Sequence, residues 1–334
     1  MAKFAVLGAG SWGTALGILL AKKPDHQVIL WEFRQQAAQR LKEERENREF
    51  LPDIPFPESL EITDDLAEAL QDAEVVLNVV PSQFVRSTLT QIHGDHTEKI
   101  WIGASKGIEN NTLLRMSEVT AELLGEKILE RYVALSGPSH AEEVARDMPT
   151  TIVAACRNLT LAKCVQHWMS GPAFRVYAST DLIGVELGAA LKNVIAIATG
   201  MLDGLGFGDN TKGALLTRGL VEMTRLGTRL GGHPETFAGL SGMGDLITTC
   251  FSKHSRNRYV GEQLGRGRKL PDILKSMVMV AEGVATTKSV HDLALKTGVE
   301  MPISEQVYRI LFEGVAPEEA IIILMQRELR VEHE

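Results

Sequence analysis

Along the first half of the chain, short apolar runs alternate with stretches of helical spacing. Lys3–Leu7 (K-F-A-V-L) is apolar for the length of a strand and is stopped by Gly8. Thr14–Ala21 reads as a helix, and Gln27–Trp31 (Q-V-I-L-W) is a second strand beyond a turn at Pro24-Asp25-His26. Ala37, Ala38 and Leu41 carry helical spacing through the charges of Arg34–Arg48. Further strands are expected at Glu74–Val80, Lys99–Gly103 and Tyr132–Leu135, with helices at Asp64–Gln71 and Leu113–Leu124 between them. Short apolar strands separated by helices imply a mostly parallel, doubly wound sheet, because parallel neighbours need crossover connections. Thr151–Ala155 and Arg175–Ala178 would extend that sheet.

After Ser179 the texture changes. Long helices are expected at Leu182–Met201, Lys212–Leu230, Arg258–Leu264, Ala285–Thr297 and Pro317–Met325, and strand-like runs nearly vanish. A boundary near Ser179–Thr180 would divide a Rossmann-type α/β domain, residues 1–179, from an all-α domain, residues 180–334. The length of 334 residues agrees with about two domains.

Gly8-Ala9-Gly10-Ser11-Trp12-Gly13 is G-x-G-x-x-G, placed directly after a strand and opening a helix. Gly8 would allow the tight turn, Gly10 the approach of a pyrophosphate, and Gly13 the close packing of helix on strand. At the end of the second strand stand Glu32, Phe33 and Arg34. An acid there suits the ribose hydroxyl of NAD and an arginine suits the 2′-phosphate of NADP, so either cofactor is open. Val79-Val80-Pro81-Ser82 and Ala104-Ser105-Lys106-Gly107 each end a strand, where ligands sit in open α/β sheets. Lys106 at such an end would reach an anion. Ser136-Gly137-Pro138-Ser139-His140-Ala141 follows the Tyr132 strand; no carboxylate is spaced to make a triad with His140.

Lys192 interrupts an apolar run from Leu187 to Thr199 on the first long helix. A lysine there is costly unless it is paired or faces a cleft. Partly desolvated and near other cations, it would lose pKa and become a usable base. Asp245, in Gly242-Met243-Gly244-Asp245, would orient such a cation or cap the next helix. Ser255-Arg256-Asn257 at a helix start would make a phosphate receptor. Val280-Ala281-Glu282-Gly283 introduces another helix as a cap or a cofactor contact.

Composition trims the function classes. A hydrophobic fraction of 44% excludes global disorder, and 35 basic against 43 acidic residues argue against nucleic acid or an anionic membrane. The net charge of -8 does not exclude a small anion, which is bound by local charge such as Lys106, Lys192 and Arg256. Cys156, Cys164 and Cys250 fit neither a disulfide framework nor a metal site, as expected in a reducing cytoplasm. The uncharged run Phe4–Ala21 is broken by glycines and ends in Lys22-Lys23, which reads as strand, turn and helix rather than a leader or membrane span.

In order, these elements resemble bacterial NAD(P)-dependent sn-glycerol-3-phosphate dehydrogenases over nearly the whole chain. The resemblance rests on G-A-G-S-W-G-T-A at Gly8, F-L-P-D at Phe50, V-P-S at Val80, A-S-K-G at Ala104 and S-G-P-S at Ser136. It continues through G-V-E-L-G-A-A-L-K-N-V at Gly184, G-M-G-D at Gly242, S-R-N-R at Ser255 and V-A-E-G at Val280. It implies that Lys192 is the proton acceptor. Substrate contacts would come from Lys106, Gly137, Ser139, Lys192, Asp245, Ser255, Arg256 and Asn257. Cofactor contacts would come from Ser11, Trp12, Phe33, Arg34, Lys106, Ala141, Arg256, Val280 and Glu282; Phe33 departs from the basic residue or histidine usual there. It also implies hydride exchange between NAD(P)H and dihydroxyacetone phosphate for phospholipid synthesis, and a homodimer formed through the helical domain. Two alternatives are a 3-hydroxyacid or phosphogluconate dehydrogenase of similar build and a non-catalytic NAD(P)H sensor. The Ser255–Asn257 set disfavours the first, and Lys192 in an apolar helix disfavours the second.

Overall fold

The structure, a computed structural model, describes residues 2–332. Strand β1 (Ala2–Leu7) and helix α1 (Ser11–Ala21) are buried on nearly every face, which explains the unbroken apolar run at the start. Strand β2 (His26–Trp31) lies parallel to β1, and α2 (Gln35–Glu44) follows it. The expected helix through Arg48 stops at Glu44. Arg45 turns left-handed at φ 53°, and the chain enters a small antiparallel pair, β3 (Glu46–Asn47) and β4 (Leu51–Pro55).

Beyond it come β5 (Leu60–Thr63), α3 (Leu66–Gln71), β6 (Val75–Asn78), α4 (Val85–Leu89), β7 (Ile100–Gly103) and α5 (Met116–Leu124). The half closes with β8 (Tyr132–Ser136), α6 (Ala141–Val144), β9 (Thr150–Ala155), α7 (Leu159–Met169) and β10 (Phe174–Ser179). The main sheet has eight strands in the order β10-β9-β8-β7-β6-β1-β2-β5. All pairs are parallel except β8 with β9. The winding reverses at β1, which has β2 on one side and β6 on the other. That places a crevice outside the carboxyl ends of β1 and β6, where doubly wound sheets bind ligands.

From Leu182 the described chain is helical: α8 (Leu182–Gly204), α9 (Asp209–Arg229), α10 (Pro234–Ala238), α11 (Asp245–Phe251) and α12 (Arg256–Gly265). Then follow α13 (Leu270–Lys275), α14 (Glu282–Thr297), α15 (Pro302–Tyr308) and α16 (Pro317–Met325). Helix α8 is long and apolar enough to cross a membrane, yet 89% of that window is buried inside the fold. It is capped by Asp181, whose Oδ1 accepts the Gly184 N–H at 2.8 Å. Its crossing with α12 depends on four glycines: a Cβ on Gly200 would lie 1.9 Å from the Arg258 carbonyl oxygen, and one on Gly261 1.9 Å from that of Ile197. Gly204 and Gly265 are equally crowded, at 2.3 and 2.4 Å from carbonyl oxygens of the facing helix. Backbone contact at this crossing seats the start of α12 beside the middle of α8. Glu186 fixes α8 to the sheet half by accepting from the Ser117 N–H at 2.8 Å, Ser117 Oγ at 2.6 Å and Arg115 Nη1 at 2.7 Å.

Candidate active site

The glycine loop lies at the carboxyl end of β1. Gly8 has φ +105°, and a Cβ on Gly13 would sit 1.9 Å from the Gly8 carbonyl oxygen, so the turn closes only with glycine at both positions. Around Gly10 nothing lies within 4 Å of where a Cβ would be, and no side chain caps α1 at Gly10. Open N–H groups at the helix start favour an anion. Asn47, which the sequence pattern did not mark, braces the loop from β3. Its Nδ2 donates to the Ala9 carbonyl at 2.8 Å and to Thr14 Oγ1 at 2.8 Å.

This loop forms one end of a cleft of about 1090 Å³ that runs across the sheet edge to α8, α11 and α12. Of the expected site residues, Gly8, Gly10, Ser11, Trp12, Gly13, Phe33, Arg34, Lys106, Ser139 and Ala141 line it, as do Lys192, Asp245, Ser255, Arg256, Asn257, Val280 and Glu282. Gly137 is linked to its wall, its carbonyl accepting from Lys106 Nζ at 3.1 Å and Ser139 Oγ at 2.8 Å. The open glycine turn and the orphaned, buried Trp12 Nε1 beside it fit a dinucleotide.

At the other end, two lysines share one carboxylate. Lys192 Nζ, from α8, lies 3.0 Å from Asp245 Oδ1, and Lys106 Nζ, beyond β7, lies 2.8 Å from Asp245 Oδ2. Asp245 is the first residue of α11, yet its side chain serves the lysines rather than the helix cap. Thr249, one turn further on, accepts from Lys192 Nζ at 2.6 Å and donates to the Asp245 carbonyl at 2.6 Å. Burial pushes the Lys192 ammonium down to about 8, helped by Lys106 and opposed by Asp245. Burial alone would raise the Asp245 carboxyl, but the two lysines outweigh it and hold it below its ordinary value. His140 also lines the cleft. Burial, Lys192 and Lys106 lower its pKa, and its Nε2 has no hydrogen-bond partner among the described residues.

The start of α12 supplies the other charge. Ser255 is the N-cap, its Oγ accepting the Arg258 N–H at 3.2 Å. Arg256 forms no ion pair or hydrogen bond with any described residue, so its guanidinium is available to a ligand. Asn257 is committed to the scaffold: Nδ2 donates to Asn193 Oδ1 at 2.9 Å, and Oδ1 accepts the Gly283 N–H at 2.9 Å. Asn193, a residue not singled out from the sequence pattern, donates to the Lys106 carbonyl at 3.0 Å. This amide chain ties the lysine after β7 to α8, α12 and α14. Glu282 completes the tie, accepting the Ser82 N–H at 2.8 Å and the Ser82 hydroxyl. Among the described residues no cluster of His, Cys, Asp or Glu could hold a metal.

A doubly wound sheet with an open glycine loop at its switch point, facing a desolvated lysine across one cleft, defines a nicotinamide-dependent oxidoreductase. Residues 3–162 match the NAD-dependent glycerol-3-phosphate dehydrogenase N-terminus and residues 181–322 its C-terminus. The chain belongs to this family. It is 51% identical over 332 residues to a glycerol-3-phosphate dehydrogenase (NAD(P)+) of Chlorobium phaeobacteroides, covering 99% of each chain. With that of Citrifermentans bemidjiense it shares 52% identity, covering 99% of this chain and 98% of the relative. A crystal structure of glycerol-3-phosphate dehydrogenase from Coxiella burnetii superposes with a TM-score of 0.91 at 39% identity, covering 98% of this chain and 99% of the other.

Proposed function

We propose that the chain interconverts dihydroxyacetone phosphate and sn-glycerol 3-phosphate with a nicotinamide dinucleotide, supplying the backbone of glycerophospholipids. The observation that carries this reading is a single cleft holding the glycine loop, the Lys106–Asp245–Lys192 triad and Arg256, which no described residue hydrogen-bonds. Bound there, NAD(P) supplies hydride chemistry at its nicotinamide.

The residues divide the remaining work. Arg256 and the start of α12 take the phosphate, which their charge and free donors suit. Lys192 Nζ accepts the C2 hydroxyl proton during oxidation and returns it to the C2 oxygen during reduction. Asp245 and Thr249 hold Nζ in place, and Lys106 adds positive charge beside the same oxygen. Ser139 and Gly137 position Lys106. Ser11, Trp12, Phe33, Arg34, Ala141, Val280 and Glu282 border the dinucleotide. The chain divides into a dinucleotide-binding unit through Ser179 and a helical unit from Thr180. We assign a cytoplasmic location, supported by the unpaired cysteines, and a homodimer, supported by the family resemblance.

The reading is tested by incubating the protein with NADH and dihydroxyacetone phosphate and assigning the product's configuration by chiral analysis. The expected product is sn-glycerol 3-phosphate alone; no NADH-dependent product, or a racemate, contradicts it. The pH profile tests the base. Lys192 must be neutral to accept a proton, so oxidation should rise with pH through about 8, and reduction should fall over the same range. Asp245→Asn removes the charge that supports the ammonium, so the midpoint should move below that of the wild type. An unmoved midpoint would detach Asp245 from the base.

A further inference from the structure

The far end of the cleft, with the hollow that adjoins it at Glu32 and Arg34, carries a set of charges that the proton transfer does not use. Glu32, just past β2, is buried, and its Oε1 accepts both the Arg34 backbone N–H at 3.1 Å and Arg34 Nε at 2.8 Å. Oε2 bonds to no described residue, and Glu32 lines the cleft. Arg34 is held from its other side by Glu49 in the turn between β3 and β4, with Nη1 3.0 Å from Glu49 Oε1. Arg40, on α2, reaches within 3.7 Å of Glu49 Oε2. The Arg34 guanidinium also lies over the Phe50 ring, 5.4 Å from its centroid.

We propose that this Glu32–Arg34–Glu49–Arg40 chain makes the protein select NAD(H) over NADP(H), with Glu49 as the discriminating residue. The inference rests on the cleft being a nicotinamide dinucleotide site. A ribose diol is a pair of donors, and the open oxygen of Glu32 is an acceptor at the end of β2, where such diols bind. A 2′-phosphate carries about -1.5 to -2 charges at neutral pH and needs guanidinium groups that are not already satisfied. Here two carboxylates balance two guanidiniums. Seating the phosphate breaks the Glu49 bonds and leaves Glu49 facing an anion, with Glu32 adding further repulsion. Arg48 does not alter this balance, because it lies 3.4 Å from Glu44 and 3.5 Å from Glu46. The presence of Arg34 alone would suggest NADP; its partners reverse that expectation.

The test is a fluorescence titration of the full chain with NADH and with NADPH, without substrate, for the wild type, Glu49→Gln and Glu32→Gln. The wild type should bind NADH about tenfold or more tightly than NADPH, a difference within the reach of one charge-assisted contact. Glu49→Gln should tighten NADPH by about tenfold, moving the ratio toward NADP(H), because Arg34 Nη1 and Arg40 lose their charged partner and can pair with the phosphate, while Arg34 Nε stays on Glu32. Glu32→Gln should weaken NADH by about tenfold, since a charged acceptor becomes a neutral one. Wild-type protein that binds NADPH as tightly as NADH, or a ratio unmoved in Glu49→Gln, overturns the selectivity while leaving the dehydrogenase reading intact. Failure of both dinucleotides to bind overturns the reading of the cleft, and the selectivity with it.

Discussion

Lys192→Ala is expected to lower kcat for dihydroxyacetone phosphate reduction by about 10²- to 10⁴-fold, the contribution of a positioned general acid–base. NADH affinity should change little, because Lys192 lies at the opposite end of the cleft from the glycine loop. The fold should survive. Asp245 keeps Lys106 at 2.8 Å and so is not left as an unpaired buried charge. Lys192→Arg should not rescue turnover, because a guanidinium stays charged at any working pH and its fork does not match a site built for one ammonium. Steady-state kinetics with a thermal-melt control decide the matter: substantial turnover in Lys192→Ala removes it from the proton-transfer role.

Arg256→Ala should raise the KM for dihydroxyacetone phosphate by about 100-fold, with a smaller change in kcat. Hydrogen bonds to a charged group contribute about 1.5–3 kcal/mol each, and tenfold in affinity corresponds to about 1.4 kcal/mol. Phosphate is held alike in ground and transition states, so its loss appears mainly in KM. Arg256 makes no hydrogen bond or salt bridge with any described residue, and the nearby Glu282 keeps its bonds to Ser82, so the folding cost should be small. Arg256→Lys should recover only part of the affinity, since an ammonium cannot form the bidentate contact. A KM within twofold of wild type would move the phosphate site away from α12.

Much of the fold was readable in the chain because its signals are local. The strand–glycine–helix unit at Leu7–Ala21 and the lysine inside α8 each need only a short window to interpret. The strand β5 was missed because its four residues sit in a proline- and acid-rich stretch with no room for a period to show. Helix α7 was missed although Asn158 caps it, accepting the Thr160 N–H at 3.0 Å and the Leu161 N–H at 3.3 Å; that cap was a usable signal. Helix α5 begins at Met116 rather than Leu113, where a left-handed residue (φ 62°) holds the chain in a turn. Leu240–Gly244 forms a wide helical turn just before α11, where its glycines alone would suggest a loop.

The site divides along the same line. Lys106, Lys192, Asp245 and Arg256 stood out individually, but their pairing spans separations such as the 139 residues between Lys106 and Asp245. Only the winding of the sheet and the α8–α12 crossing bring them together. Thr249 was findable, one helical turn after Asp245. Asn47 carried no signal, because an isolated asparagine gains its role only from carbonyls that the fold delivers to it; Asn193 lay in the motif at Gly184, but its partners, the Lys106 carbonyl and Asn257, came only with the fold. Arg34 shows the opposite hazard: its type was plain, but its meaning depends on Glu49, brought in by a two-strand turn that the pattern did not reveal.

The most direct test of the site's division of labour is NADH oxidation measured with three acceptors in parallel: dihydroxyacetone phosphate, dihydroxyacetone and a three-carbon 2-oxo acid. The proposed cleft requires both the ketone at Lys192 and the phosphate at Arg256. Rapid oxidation with the phosphate ester and little with the other two is the expected result. Equal oxidation with the unphosphorylated ketone, or a preference for the 2-oxo acid, would contradict it.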